Sequence, residues 1–281
     1  MLLPRTAAIS QLTLLDKTES TNTVLVAQSA TAAEFATVIT LDQTAGKGRL
    51  GRVWETLPGR GAAISVLLRP RLSTGGPLEL AAWGWLPLMA GLAMTRAITE
   101  VLITEVVISE ELPDRGNAPT AAVPTVSVKW PNDVLVDGRK VSGILAELLP
   151  GGDGLVLGAG VNLFHTPEEL PTPISTSLAT AGATLRGSAL VDAICSAYLS
   201  ELRSLYADFL TADGDAQSSG LRAAVIARCS TLGQLVRVHL PDGQLKTGEA
   251  IDLDSGGRLL FRAGTTVTAV AAGDVEHLRY E

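Results

Sequence analysis

Three cations, Lys47, Arg49 and Arg52, are interleaved with three glycines, Gly46, Gly48 and Gly51, in the segment DQTAGKGRLGRVW at 42–54. Glycine lets backbone N–H groups approach an anion closely, and ammonium and guanidinium groups neutralise it, so this spacing suits a phosphate or adenylate clamp. A solvated basic surface loop is the plain alternative. The same glycines spell G-x-G-x-x-G, the dinucleotide fingerprint. That motif needs a helix after its third glycine and a carboxylate about twenty residues on. Here Gly51 runs into RVWETLPGRG, and Arg69 and Arg71 stand where the acid belongs, so the fingerprint fails. No Walker P-loop is present.

A second group is Lys129-Trp130-Pro131-Asn132-Asp133, followed closely by Arg139 and Lys140. Both lysines lie on or beside apolar strand-like runs, where an ammonium is costly without an anionic partner. They point to an anionic ligand; a purely structural reading instead pairs Lys129 with Asp133 or Glu147 as a buried ion pair. Ser20-Thr21-Asn22 reads by propensity as a helix N-cap, and Asn162, after Gly158-Ala159-Gly160, as a residue at a strand end. His165, His239 and His277 are far apart, no Cys/His spacing suggests zinc, and no G-x-S-x-G elbow occurs, so no metal ligand is assigned.

Elements must position these groups. β-branched residues predict strands at 34–43 and 61–69. Leu86, Ala90, Ala93, Ala97 and Val101 recur at helical spacing, with Arg96 and Glu100 off the stripe, which predicts an amphipathic helix packed on a sheet. The Pro-rich stretch 110–124 is expected to be a mobile loop. Strands resume with Val126, Val128 and Trp130. Asp137-Gly138 then reads as a two-residue hairpin turn, placing Lys140 on a rigid return strand. A long helix at 189–210 carries Ile194, Tyr198, Leu202, Leu205 and Phe209 on one side. The polar tract 211–220 and a short helix at 221–228 follow. After Cys229, closely spaced strands and turns predict a small barrel. The expected units are 1–228 and 229–281.

The chain has 281 residues, 46% hydrophobic and 18% charged, enough for a catalytic domain with a small appendage. A net charge of −7 disfavours a broad nucleic-acid partner. The two cysteines, Cys195 and Cys229, are expected to be free thiols in a reducing cytoplasm. Pro4, Arg5, Gln11, Asp16 and Lys17 interrupt any signal-peptide pattern. The apolar run at 83–101 holds Pro87, Arg96 and Glu100, so a buried helix is expected there and not a membrane span.

Ser20-Thr21-Asn22, Gln43 with Gly46-Lys47-Gly48-Arg49-Leu50-Gly51-Arg52, Lys129 to Asp133, the run D-G-R-K-V-S-G-I from Asp137, and Gly158 to Asn162 occur in this order. Together they resemble the biotin protein ligase family over about residues 15–165. The C-terminal strands look like that family's SH3-like domain. The resemblance implies an α+β catalytic domain of mixed sheet with flanking helices, related to class II aminoacyl-tRNA synthetase cores and lipoate ligases. It implies that biotin and ATP, with Mg²⁺, form biotinyl-AMP, and that biotin then passes to a lysine of a carboxylase's biotin carboxyl carrier domain. No nucleic-acid or membrane partner is implied. A lipoate or octanoate ligase or transferase of the same core is the alternative. A repressor form would carry a helix-turn-helix, for which nineteen residues before Ser20 leave no room.

Carried over position by position, Ser20, Thr21, Asn22, Gln43, Lys47, Gly48, Arg49 and Lys140 contact biotin, Lys140 at its carboxyl group. Gly46, Lys47, Gly48, Arg49, Arg52, Trp54, Lys129, Asn132 and Asn162 fall on the ATP and adenylate side, with Trp54 near the adenine. Lys140, Arg49 and Lys129 are the expected catalytic cations, and Asp133 is assigned a role in the second step. The family usually has Arg where Lys47 stands, and a lysine does not supply the same bidentate fork. Since no enzyme nucleophile is required, positioning and charge neutralisation carry the expected chemistry. The 44–60 loop is expected to order over the adenylate.

Overall fold

A computed structural model describes residues 1–110, 124–239, 244–270 and 274–277. The stretch at 111–123 of the expected mobile loop, and the turns at 241–243 and 273, lie outside the described residues. In chain order the first half contains α1 (Pro4–Ala7), β1 (Leu12–Leu15), α2 (Thr21–Gln28), β2 (Thr37–Thr40), β3 (Gly46–Lys47), β4 (Val53–Trp54), β5 (Gly61–Leu68) and α3 (Trp85–Glu110). Then come β6 (Val126–Lys129), β7 (Asp133–Val136), β8 (Arg139–Leu148), β9 (Leu155–Asn162), α4 (Gly187–Thr211) and α5 (Leu221–Ile226). The last part is all strand: β10 (Leu235–His239), β11 (Leu245–Leu253), β12 (Leu259–Ala263), β13 (Thr266–Val270) and β14 (Asp274–His277).

Seven strands form one mixed sheet in the order β1-β2-β5-β9-β8-β7-β6, parallel only between β1 and β2. The expected mixed sheet with flanking helices is therefore present. The C-terminal strands form a separate five-stranded antiparallel sheet, β13-β12-β11-β10-β14, the expected small β unit.

The larger core lies on one face of the large sheet, and a smaller cluster of Leu25, Val38, Leu67 and Val156 lies on the other, under α2. Leu86, Ala90, Ala93, Ala97 and Val101 of α3 are buried in the larger core, with Arg96 and Glu100 exposed. The helix differs from the expectation in being buried almost all round near its start, at Trp85, Leu88, Met89, Leu92 and Met94, because α4 covers the side turned away from the sheet. This explains how a helix apolar enough to cross a bilayer is satisfied inside the fold. On α4, Ile194, Tyr198, Leu202, Leu205 and Phe209 are all buried. Each of the aliphatic and Phe side chains among them contributes about 1.5–3 kcal/mol by leaving water.

One local difference has a physical cause. β2 is shorter than the expected 34–43 strand because Phe35 adopts φ 65°, a left-handed conformation in which an extended strand cannot continue. The Asp137-Gly138 turn follows expectation: both residues have positive φ, 47° and 75°, and Val136 pairs with Arg139.

The sheet's β6 edge is closed by the chain leaving α5. Val128 N–H donates to Arg228 O at 2.8 Å, and Ser230 N–H donates to Val128 O at 2.8 Å. Two tryptophans fasten the second sheet to the first unit. Trp85 Nε1 donates to Ser255 O at 2.7 Å and Trp130 Nε1 donates to Gly257 O at 3.1 Å. Trp130 is thus a buried anchor that fixes the residues following it.

Candidate active site

The sheet face that α2 partly covers carries a strip of small residues where β5, β9 and β8 meet. Ala63 lies opposite Gly160 and Gly160 opposite Gly143, while Ser65 lies opposite Gly158 and Gly158 opposite Leu145. Alternation sends Ala159 and Ile144 into the core and leaves the glycines on the cleft side. Glycine inside a strand weakens it and commonly marks a close approach by another group. That is the case here: a Cβ on Gly158 would stand 2.4 Å from Asn22 Oδ1, and one on Gly160 only 2.3 Å from Trp54 Cε2.

Over this floor the structure gathers Ser20, Thr21, Asn22, Gln43, Lys47, Gly48, Arg49, Arg52, Trp54, Asn132, Asp133 and Lys140 around one cleft. Ser20 caps α2, its side chain accepting from Thr23 N–H at 3.4 Å, so the cap and the cleft-lining role belong to the same residue. Gln43 Oε1 accepts from Thr21 N–H at 2.9 Å. Asn22 is buried and its polar atoms are committed inside the protein: Nδ2 to Glu147 Oε2 at 2.7 Å, Oδ1 to Ser65 Oγ at 2.6 Å.

The basic segment folds back as a hairpin, with Gly46 paired to Trp54 and Lys47 to Val53. Its turn uses positive φ at Leu50 (57°) and Gly51 (74°). Gly46 serves close packing instead, since a Cβ there would lie 2.4 Å from Trp54 O. The hairpin is held down by side chains: Lys47 Nζ lies 3.1 Å from Glu147 Oε1, and Arg49 donates to Asn132 Oδ1 at 3.3 Å. Asn132 Nδ2 in turn donates to Ile144 O at 3.1 Å, which fixes its amide. Burial holds the Arg49 guanidinium below its ordinary pKa, against the opposing pull of Asp133, and Arg52 adds to the lowering. An arriving anion would offset that desolvation by its opposite charge.

Lys140 stands just past the Asp137-Gly138 turn, its backbone gripped by Ile174 O and Thr176 N–H, each at 2.8 Å. Its Nζ is 2.6 Å from Asp133 Oδ1 and 5.6 Å from the centre of the Trp54 ring. Asp133 and Glu147 thus pair with Lys140 and Lys47. Lys129 ends β6 and Asn162 ends β9, with Asn162 buried and donating to Thr176 O at 3.0 Å. Neither lines the cleft.

With Trp54 seated on the glycines the cleft encloses about 130 Å³, below the roughly 300–1,000 Å³ of pockets that enclose a small molecule. The Trp54 ring fills the space over Gly143 and Gly160. From Arg49 and Asn132 a second, wider cleft of about 830 Å³ runs past Pro87 and Leu88 to Gly256, Gly257 and Arg258 of the C-terminal sheet.

Two residues were not apparent from sequence motifs: Ser65 and Glu147, which hold Asn22 from behind the cleft wall. Strand alternation carries the missing signal, because 143, 145 and 147 share a face of β8 and a lone carboxylate on such a face asks for a partner. Among the described residues no group of three or more His, Cys, Asp and Glu side chains could hold a metal ion.

Residues 14–162 match the model of the biotin/lipoate A/B protein ligase family, and residues 231–278 match the biotin protein ligase C terminal domain. The chain is 37% identical to the biotin--[acetyl-CoA-carboxylase] ligase of Mycobacterium tuberculosis, over 96% of this chain and 90% of that one. It is 27% identical to the bifunctional ligase/repressor BirA of Bacillus subtilis, over 87% and 67%. The fold resembles a biotin protein ligase from Aquifex aeolicus in complex with biotin and ATP, with a TM-score of 0.68, 24% identity and coverage of 96% and 99%. A Leishmania major biotin protein ligase with biotinyl-5-AMP matches at TM-score 0.54 and 27% identity, over 96% and 99%.

Proposed function

Because this chain belongs to the biotin/lipoate A/B protein ligase family, we propose that its cleft joins biotin to AMP and then transfers the biotin to a lysine of a carboxylase's biotin carrier domain. One observation carries the reading: three cations from two separate segments, Lys47 and Arg49 of the hairpin and Lys140 of β8, converge over a glycine floor beside an uncharged, hydrogen-bonding wall of Thr21 and Gln43. That is a site with a charged end and a polar, neutral end.

In the first step the carboxylate oxygen of biotin bonds to the α-phosphorus of ATP and pyrophosphate leaves. Two anions must approach each other, so the barrier falls where preorganised cations lie between them. Lys140 meets the carboxylate, exchanging its Asp133 counterion for the ligand, while Arg49 and Arg52 face the phosphates. Lys129 and Asn162 act, in this reading, from behind the cleft. Mg²⁺ arrives as part of the ATP substrate, held mainly by phosphate oxygens, as is usual for this ion. The product is a mixed anhydride that water destroys, and Trp54 with the hairpin closes over it.

In the second step the carrier's lysine amine attacks the acyl carbon, AMP leaves, and the amine loses a proton. Asp133, released from Lys140 when that ammonium engages the ligand, stands ready to accept it. The wide second cleft meets the first at Arg49 and Asn132, beside Asp133 in the chain. A cytoplasmic location, where ATP and the carrier meet, accords with two buried, free cysteines.

Pyrophosphate exchange into ATP tests the first step with biotin, lipoate and octanoate in turn. Exchange dependent on biotin is expected; exchange with lipoate or octanoate and none with biotin would assign the site to the other branch of the family.

A further inference from the structure

The contacts around Asn22 form a chain whose proton direction can be worked out. Glu147 is paired with Lys47 Nζ at 3.1 Å and so presents only acceptors to Asn22, 2.7 Å away. The Asn22 amide nitrogen must therefore face Glu147, and its oxygen must face Ser65 Oγ at 2.6 Å. That oxygen has no proton, so the single Ser65 proton goes to it. Ser65 Oγ is also 2.8 Å from Thr21 Oγ1, and with its own proton spent it can only accept there. The Thr21 proton is drawn inward to Ser65. The remaining contact of Thr21 Oγ1, 3.2 Å to Gln43 Oε1, is longer, and that oxygen already accepts Thr21 N–H at 2.9 Å.

Thr21, a residue of the cleft wall, consequently offers the cleft lone pairs and no donor. A ligand group lying against it must bring its own N–H or O–H. The ring of a cyclic urea supplies N–H donors; a dithiolane ring or an alkyl chain supplies none. Resting on the ligase reading above, we infer that Glu147 is a positioning residue that sets the polarity of this chain and makes the site select an acid carrying a ring N–H.

The stability value of Glu147 is secondary. Its side chain and that of Lys47 are 29% and 49% exposed, and exposed ion pairs contribute little. Its effect is directional. A glutamine of the same size can turn either atom toward Asn22, so Glu147→Gln removes the constraint on the Asn22 amide and on everything beyond it.

The test is a double-mutant cycle on wild type, E147Q, T21V and the double variant, reading KM for biotin and kcat in pyrophosphate exchange, with melting temperature alongside. Loss of one directed hydrogen bond predicts a KM for biotin raised about tenfold in E147Q with kcat within about threefold. Because Glu147 acts through Thr21, E147Q is expected to add almost nothing in the T21V background. E147D, which restores the carboxylate, is expected to recover part of the affinity. An unchanged KM in E147Q overturns the inference. So do equal KM increases in both backgrounds, or parallel losses of kcat and melting temperature in E147Q and E147D alike, which would mark a structural role. Wild type without biotin-dependent exchange would instead remove the ligase reading on which this rests.

Discussion

At the scale of single residues, the site is an arrangement of counterions. Lys140 and Lys47 each hold a carboxylate of the chain itself, Asp133 at 2.6 Å and Glu147 at 3.1 Å, and Arg49 holds an amide oxygen. Those partners preset each cation where a ligand's negative charge is to develop. Lys140→Ala is expected to slow adenylate formation at least about a hundredfold, the scale of a lost transition-state charge contact, and single-turnover release of pyrophosphate measures it. Asp133→Asn separates the steps: adenylate still forms, and its transfer to an acceptor lysine slows. Equal rates in the second step would end the role given to Asp133. The motifs made Lys140, Arg49, Lys47 and Trp54 legible because each sits in a short run of unusual composition. Ser65 and Glu147 belong to no motif; alternation puts Glu147 on the Gly143 face of β8, but only the assembled sheet sets both residues against Asn22.

At the scale of elements, the glycines of β8 and β9 and the β3–β4 hairpin form one fitted pair. Adding a methyl group at Gly160 would place a carbon 2.3 Å from the Trp54 ring, so Gly160→Ala should unseat Trp54. Faster amide exchange across 46–54 and weakened adenylate retention are the expected results; unchanged exchange would mean the ring does not hold the hairpin. The hairpin also shows where sequence reasoning stopped short. Its glycines suggest hinge freedom, yet only Gly51 among them needs a left-handed φ, while Gly46 is required by proximity to Trp54 and Gln43. Just beyond the hairpin, His165 Nε2 lies 3.2 Å from Thr56 Oγ1. Burial lowers the His165 pKa, opposed by Glu169 and assisted by Arg60. A lowered folded-state pKa means the unfolded chain binds the proton more readily. Stability is therefore full above the unfolded value and declines as pH falls through about 6.5. Replacing His165 by Gln should flatten that decline in melting temperature measured from pH 7.5 to 5.5.

At the scale of the whole molecule, the C-terminal sheet is tied to the catalytic unit through Trp85 and Trp130, and a motif places the second beside the chemistry. Trp130 belongs to the run leading to Asn132 and Asp133, and its ring reaches Gly257. Trp130→Phe removes that hydrogen bond and some buried volume, and is expected to cost about 1–3 kcal/mol in denaturant unfolding. Activity should fall with it, because the residues that follow lose their anchor. Much of the architecture could be read in advance where periodicity was strong, as in α3, α4 and the Asp137-Gly138 hairpin. Periodicity could not show that α4 covers the outer side of α3, or that the chain after α5 closes the β6 edge, since both depend on partners remote in sequence. The central claim is that one chain activates biotin and delivers it. Its most direct test is to incubate the protein with biotin, ATP, Mg²⁺ and a biotin carrier domain, and to weigh the carrier by mass spectrometry. The account predicts the mass of one biotinyl group on one lysine, dependent on ATP; an unmodified carrier, or one modified only by lipoate or octanoate, would contradict it.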